Sequence, residues 1–231
     1  MLLGSPTCMT CQLAQWSGWL TPPLTPCPPG PTWEGGNRET TNHILNCCKV
    51  YLNQQRYTWR HNNIINYIVS NLDKTKYSVY SDIPGYTTAA GGSIPPHILV
   101  TGRKPDIVIV SECDKKLVSF ELTVPFETRI GEANKLKTET YAQLEADINQ
   151  TEYKATISAF EIGSRGLVTP ENKDRLRIIH SFLSPNKPKL KTFIDNISSL
   201  AVISSYFIFL SRKEPSWNEN TPYVQPVYRN Q

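Results

Sequence analysis

The sequence predicts an α/β domain built on a mixed sheet, and three observations lead there. Two β-rich runs, Ile107–Val110 and Leu117–Val124, flank the polar turn Glu112-Cys-Asp-Lys-Lys116. A helical stretch, Gly131–Ile148, is followed by a further strand, Lys154–Ile162. The resulting order of helix, three strands, helix, strand and helices is that of one sheet covered by helices.

Residues 1–37 are rich in Pro, Gly, Thr and Trp, with Pro22-Pro23, Pro28-Pro29-Gly30-Pro31 and Gly35-Gly36. No helical or strand period survives there, so the segment is expected to be loop or poorly ordered. From Thr40 the character changes. Ile44, Leu45, Cys48 and Leu52, then Ile64, Ile65, Ile68 and Val69, recur at helical spacing and predict two helices joined around Asn53–Thr58. Residues 38–72 are expected to form a helical linker, and 73–215 the main domain. Within that domain Tyr77–Ile83 alternates as a short strand, and Pro84–Pro96 is a Gly/Pro/Thr-rich loop. The strand Lys154–Ile162 is closed by Gly163-Ser-Arg-Gly166. Pro170, suited to a first helical turn, opens a helix running to Leu183. Lys191–Leu210 is a last helix, and residues 216–231 form a polar, Pro-containing tail.

A chain of 231 residues suffices for one sizeable domain, or one domain plus a small appendage. Hydrophobic content of 39% and charged content of 19% suit a soluble globular protein. The net charge of +4 permits a polyanionic partner without demanding one. No basic region leads into a continuous apolar stretch at the N-terminus, which argues against a signal peptide. The most apolar run, Leu200–Leu210, is interrupted by Ser204 and Ser205 and falls short of the roughly 20 residues that span a bilayer. An intracellular, soluble protein with no membrane partner is the expectation.

The chemistry sits in the strands. Side chains alternate across a strand, so Asp106, Val108 and Val110 share one face of the first run, and Leu117, Ser119, Glu121 and Thr123 share one face of the second. If the two strands are hairpin neighbours, Asp106 and Glu121 converge on one side of the sheet. Two converging carboxylates repel, and an oxygen-loving cation such as Mg²⁺ relieves that repulsion. On the following helix Ile130, Ala133, Tyr141, Leu144 and Ile148 trace a stripe at steps of three and four that should face the sheet. Lys137 falls in that stripe, whereas Lys135 does not. A lysine so placed must snorkel out or meet an anion. With Asp106, Glu121 and a scissile phosphate it could orient an attacking water and offset charge on a pentacovalent transition state. The alternative is a structural ion pair.

Lys104-Pro105-Asp106, Glu121-Leu-Thr-Val-Pro-Phe-Glu127, Ala133 through Lys137 to Tyr141, and Glu161-Ile-Gly-Ser-Arg-Gly166 together resemble the restriction-enzyme-like endonuclease of site-specific non-LTR retrotransposons, a branch of the PD-(D/E)XK nucleases. The resemblance runs from about Glu39 to Trp217 and includes Ser204-Ser-Tyr206, Arg212 and Trp217. It implies a PD-(D/E)XK restriction-endonuclease-like core, a mixed sheet flanked by helices. It implies Asp106 and Glu121 as ligands of Mg²⁺ or Mn²⁺, Lys137 as the catalytic lysine displaced onto the helix, and Tyr141 as an accessory residue. Thr123 stands where the wider nuclease pattern has its lysine, a displacement this branch shares. Glu161 and Arg165 are implied to line the cleft. The implied activity is nicking of duplex DNA, which supplies a 3′-OH for priming reverse transcription. A nuclear location, element RNA as a further partner and a dimer for second-strand cleavage belong to the same expectation. No segment resembles a polymerase, so the chain reads as the C-terminal part of such a protein or a stand-alone remnant. Arg60, Lys104 and Arg165 are the candidate contacts to a nucleic-acid backbone, with solvated surface charge as the alternative.

Of six cysteines, five fall within the first 48 residues, near His43 or before it. Cys8-Met-Thr-Cys11 is a C-x2-C pair, and His43-Ile-Leu-Asn-Cys-Cys48 gives H-x4-C, together a Cys3His set that suits one structural Zn²⁺. The retrotransposon family carries such a knuckle before its nuclease, preceded by Glu-Thr as at Glu39-Thr40, and the match assigns Cys48 with Cys47 as a spare. The Pro-rich stretch between Cys11 and His43 makes the gap long, and free cysteines are the other reading. Cys27 and Cys113 have no partner pattern. In Arg60-His61-Asn62, the family's "RHN" element, His61 is expected to cap or brace a helix. Two further functions stay open: a catalytically inactive nucleic-acid-binding module of nuclease fold, and the product of a decayed element.

Overall fold

The structure, a computed structural model, describes residues 40–214 and Trp217. A π-helical turn, His43–Cys47, and the short helix α1, Lys49–Asn53, lead into α2, Arg56–Asn71. The helices break where Gln55 takes a left-handed φ of 61°, inside the segment where the sequence predicts a junction. The strands are β1 (Ser78–Ser81), β2 (Ile107–Ser111), β3 (Lys116–Thr123) and β4 (Lys154–Glu161). Helix α3 (Ile130–Ile148) crosses from β3 to β4, and α4 (Pro170–Ser181) and α5 (Leu190–Leu210) follow.

The fold is mixed α/β. Its four-stranded sheet has the order β1-β2-β3-β4, antiparallel through β3 and parallel between β3 and β4. A parallel pair needs a crossover, and α3 supplies it. The β-branched run Ile107-Val-Ile-Val110 is buried on both faces, as befits a central strand. On one face Ile107, Ile109, Phe120, Leu122 and Phe160 pack with residues of α2, α4 and α5. On the other, Val108, Val110 and Leu117 pack with Tyr141, Leu144 and Ile148 of α3. Segment 38–72, expected as a linker, therefore gives its long helix to the main core.

β4 is an edge, and side chains blunt it. Asn149 Oδ1 accepts from the Ala155 amide at 3.0 Å, Glu145 Oε2 from Ile157 at 2.8 Å, and Asn172 Oδ1 from Glu161 at 3.0 Å. Pro170 occupies the first turn of α4, and Thr169 caps it through the Asn172 amide.

Helix α5 corrects one expectation. The apolar segment is not confined to Leu200–Leu210: Leu190–Lys213, with a mean hydropathy of 1.6, is long and apolar enough to cross a membrane by length and composition. In this fold Phe193, Ile197, Leu200 and Ala201 belong to the main core. Ser204 and Ser205 are buried against α2, accepting hydrogen bonds from Asn63 at 3.3 Å and Arg60 at 3.0 Å.

Candidate active site

The β2–β3 register places Ile107 opposite Phe120 and Val108 opposite Ser119, which sets Asp106 beside Glu121. Both acids are buried, and the backbone amide of Asp106 donates to Glu121 Oε2 at 3.1 Å. The other oxygen, Oε1, accepts from Lys137 Nζ at 2.6 Å. Lys137 is buried with Ile130, Ala133, Tyr141, Leu144 and Ile148, the stripe read from the sequence. The structure thus brings Asp106, Glu121, Lys137 and Tyr141 together.

Burial, and then the neighbouring charge of Asp106, push the Glu121 carboxyl up to about 7, against the opposing pull of Lys137. The Tyr141 hydroxyl is likewise raised, by burial first and then by the Glu121 and Asp106 charges. Its ring centroid lies 5.8 Å from Lys137 Nζ. From Glu121, Lys137 and Tyr141 a cleft of about 350 Å³ opens between α3 and β4, floored by Ala159 and Ile157. Small side chains on both elements, Ala142 and Ala146 among them, leave this space.

His61 does not cap α2, because it stands inside that helix. It braces it: its Nε2 lies 3.0 Å from Asp106 Oδ2. The Leu122 amide donates to the same oxygen at 2.8 Å. Burial would lower the imidazole pKa, but the charge and hydrogen bond of Asp106 outweigh it and leave the group above its ordinary value. A signal was present, because His61 leads the stripe Ile64, Ile65 and Ile68 at steps of three and four. Asp82 is a further acid the sequence reading missed. It is raised by burial and by Asp106, and is relieved by Lys104, whose Nζ is 3.8 Å away.

The three candidate nucleic-acid contacts part company. Arg60 is 1% exposed, and its guanidinium donates to the Leu45 and Val124 carbonyls and to Ser205 Oγ, each at 3.0 Å. It is a structural clamp, not a surface contact. Lys104 is exposed beside the site. Arg165 is exposed on the turn after β4, pairing with Glu127 Oε2 at 2.7 Å and lying over the Phe126 ring at 4.6 Å. Glu161 is buried and accepts from Asn134 Nδ2 at 3.1 and 3.2 Å. It does not border the cleft described above, nor does Arg165.

Of the expected zinc ligands, Cys8 and Cys11 lie outside the described residues. His43 and Cys48 bracket the π-helical turn, and Cys48 is buried among Ile44, Leu45, Tyr51 and Tyr57. Among the described residues no group of three or more His, Cys, Asp or Glu side chains is arranged to hold a metal. Two carboxylates, Asp106 and Glu121, offer hard oxygens of the kind Mg²⁺ and Mn²⁺ take. Burial and the neighbouring Asp106 both disfavour the charged form of Glu121, a crowding of acids that a dication would relieve, so the donor chemistry fits.

A scan of protein-family models finds none that matches the chain, and a search of curated proteins finds no match.

Proposed function

We propose that this chain is a metal-dependent DNA endonuclease of PD-(D/E)XK type, nicking duplex DNA as the resemblance to retrotransposon nucleases implies. The observation that carries the reading is the buried Lys137–Glu121 pair, 2.6 Å long, beside Asp106 at the head of an open cleft. A purely structural ion pair needs no cleft at its side and no second buried carboxylate to strain it. The mixed sheet with helices on both faces, and the position of Asp106 just before β2 beside Glu121 on β3, support the same family.

Asp106 and Glu121 would hold the cation, which when bound supplies Lewis-acid stabilisation of the scissile phosphate. Lys137 Nζ, beside Glu121, would orient a water and offset charge on the phosphorane. The Tyr141 hydroxyl, kept protonated by its surroundings, is a donor toward the same space. Lys104 meets the backbone beside the reacting phosphate.

The second reading, an inactive nucleic-acid-binding module of the same fold, is favoured by one observation. Glu121 already spends one oxygen on Lys137 and the other on the Asp106 amide, and His61 occupies Asp106. Nicking of supercoiled plasmid by the purified chain separates the two. Cleavage in Mg²⁺ that disappears in EDTA and in Asp106→Ala supports the enzyme. DNA retained at low salt without cleavage supports the binding module.

A further inference from the structure

The carboxylate of Asp106 is held from an unexpected direction. Its Oδ2 takes both the Leu122 amide at 2.8 Å and His61 Nε2 at 3.0 Å. Two donors converging on one oxygen fix the plane of a carboxylate, and among the described residues every hydrogen bond to this one falls on Oδ2. His61 reaches it from α2, which packs on the opposite face of the sheet from α3. The histidine is itself held, since its Nδ1 lies 3.1 Å from Asn62 Oδ1, and the side chain is buried. Arg60, its neighbour in sequence, ties the same helix to the Val124 carbonyl just beyond β3. Helix α2 is thereby anchored at the start of β2 and just past the end of β3.

We infer that His61 is the positioning residue for Asp106: the bond to Oδ2 orients the carboxylate and reserves Oδ1 for the divalent cation. The inference rests on the proposed nuclease reading and adds a residue to that site. A ligand carboxylate left to rotate loses affinity, and outer-shell partners of this kind are worth about 10- to 100-fold in metal binding. His61 is not a catalytic residue in this account, because it acts through Asp106 and touches neither water nor phosphate.

The experiment is a Mn²⁺ titration of the full chain followed by electron paramagnetic resonance of free Mn²⁺, with plasmid nicking in Mg²⁺ and a melting temperature for each variant. His61→Phe keeps a ring of similar volume and removes the hydrogen bond. His61→Gln keeps a donor. The expected result is Mn²⁺ affinity lowered about 10- to 100-fold in His61→Phe and within about threefold of the parent in His61→Gln. Unchanged affinity in folded His61→Phe overturns the inference and leaves the nuclease reading standing. So does a loss in His61→Gln, at a native melting temperature, of tenfold or more. A parent chain that neither binds Mn²⁺ nor nicks overturns both, so the two failures are distinct.

Discussion

Asp106 and Glu121 hold each other across the β2–β3 pair, the amide of the first donating to Oε2 of the second at 3.1 Å. That contact makes the two acids a single unit, buried together. Lys137 supplies one cation to the pair, through Glu121 alone among its described hydrogen bonds to these acids. The first prediction concerns this lysine. Lys137→Met retains the buried stem and removes the charge, and is expected to cut plasmid nicking by about 100-fold or more. Lys135→Met, on the exposed side of the same helix, is expected to nick like the parent. Equal nicking by Lys137→Met and the parent would remove the lysine from the mechanism.

A second prediction follows from Glu161, whose carboxyl is raised, chiefly by burial, despite the hydrogen bonds from Asn134 and the Asn172 side chain and the nearby Arg175. The folded state thus holds a proton that the unfolded chain has released. Stability from this group is full below the unfolded value and is lost as pH rises through the folded one. Glu121, raised for similar reasons, acts in the same direction. The urea midpoint of the metal-free chain should therefore fall from pH 5 to pH 8. In Glu161→Gln, which is neutral throughout, that fall should be smaller. A fall of undiminished size would show that Glu161 does not carry it.

Arg60 and Arg165 should separate stability from binding. Arg60→Met strips donors from the buried Leu45 and Val124 carbonyls and is expected to cost about 2–4 kcal/mol in denaturant unfolding. Arg165 is 56% exposed, and its pair with Glu127 is open to solvent screening. Arg165→Ala is expected to shift stability by less than about 1 kcal/mol. If Arg165 touches a phosphate, the substitution lowers the salt slope of DNA binding by about 1. An unchanged slope assigns Arg165 to the Glu127 turn alone.

The sequence and the structure agree where periodicity decides. Lys137 was legible because it interrupts an apolar stripe, and Asp106 and Glu121 because strand alternation puts them on one face. The same test applied to α2 would have turned Arg60 and His61 inward. What no period conveys is the partner. His61 meets Asp106 across 45 residues, and Arg60 meets Ser205 across 145, pairings that only the packing of α2 against the sheet and α5 creates. Charge was the misleading signal for Arg60, since an arginine on a helix reads as surface until backbone carbonyls are found to satisfy it. Asp82 falls inside the strand Tyr77–Ile83 that the sequence predicts, but β1 stops at Ser81, and only the fold brings the acid near Asp106.

The turn after β4 gives the last prediction. Gly163-Ser-Arg-Gly166 closes with the Gly166 amide donating to the Gly163 carbonyl at 2.7 Å, and Gly166 takes a left-handed φ of 87°. Ser198 of α5 donates to the Gly166 carbonyl at 2.7 Å, so the turn is docked on that helix. A Cβ at 166 would lie 2.6 Å from Val202 Cγ2 and 3.0 Å from the Ser198 carbonyl oxygen. The first can rotate, but the second is helix backbone and cannot. Gly166→Ala therefore combines a disfavoured φ with a backbone clash, and is expected to cost about 2–4 kcal/mol. Gly131, at the start of α3, has open space around its Cβ position and an ordinary φ. Gly131→Ala is expected to be neutral or stabilising by up to about 1 kcal/mol. Urea unfolding of the two variants side by side checks both. If Gly166→Ala were as stable as Gly131→Ala, the turn would not be pressed against α5 as the structure has it, and Arg165 would not be held where its pair with Glu127 places it.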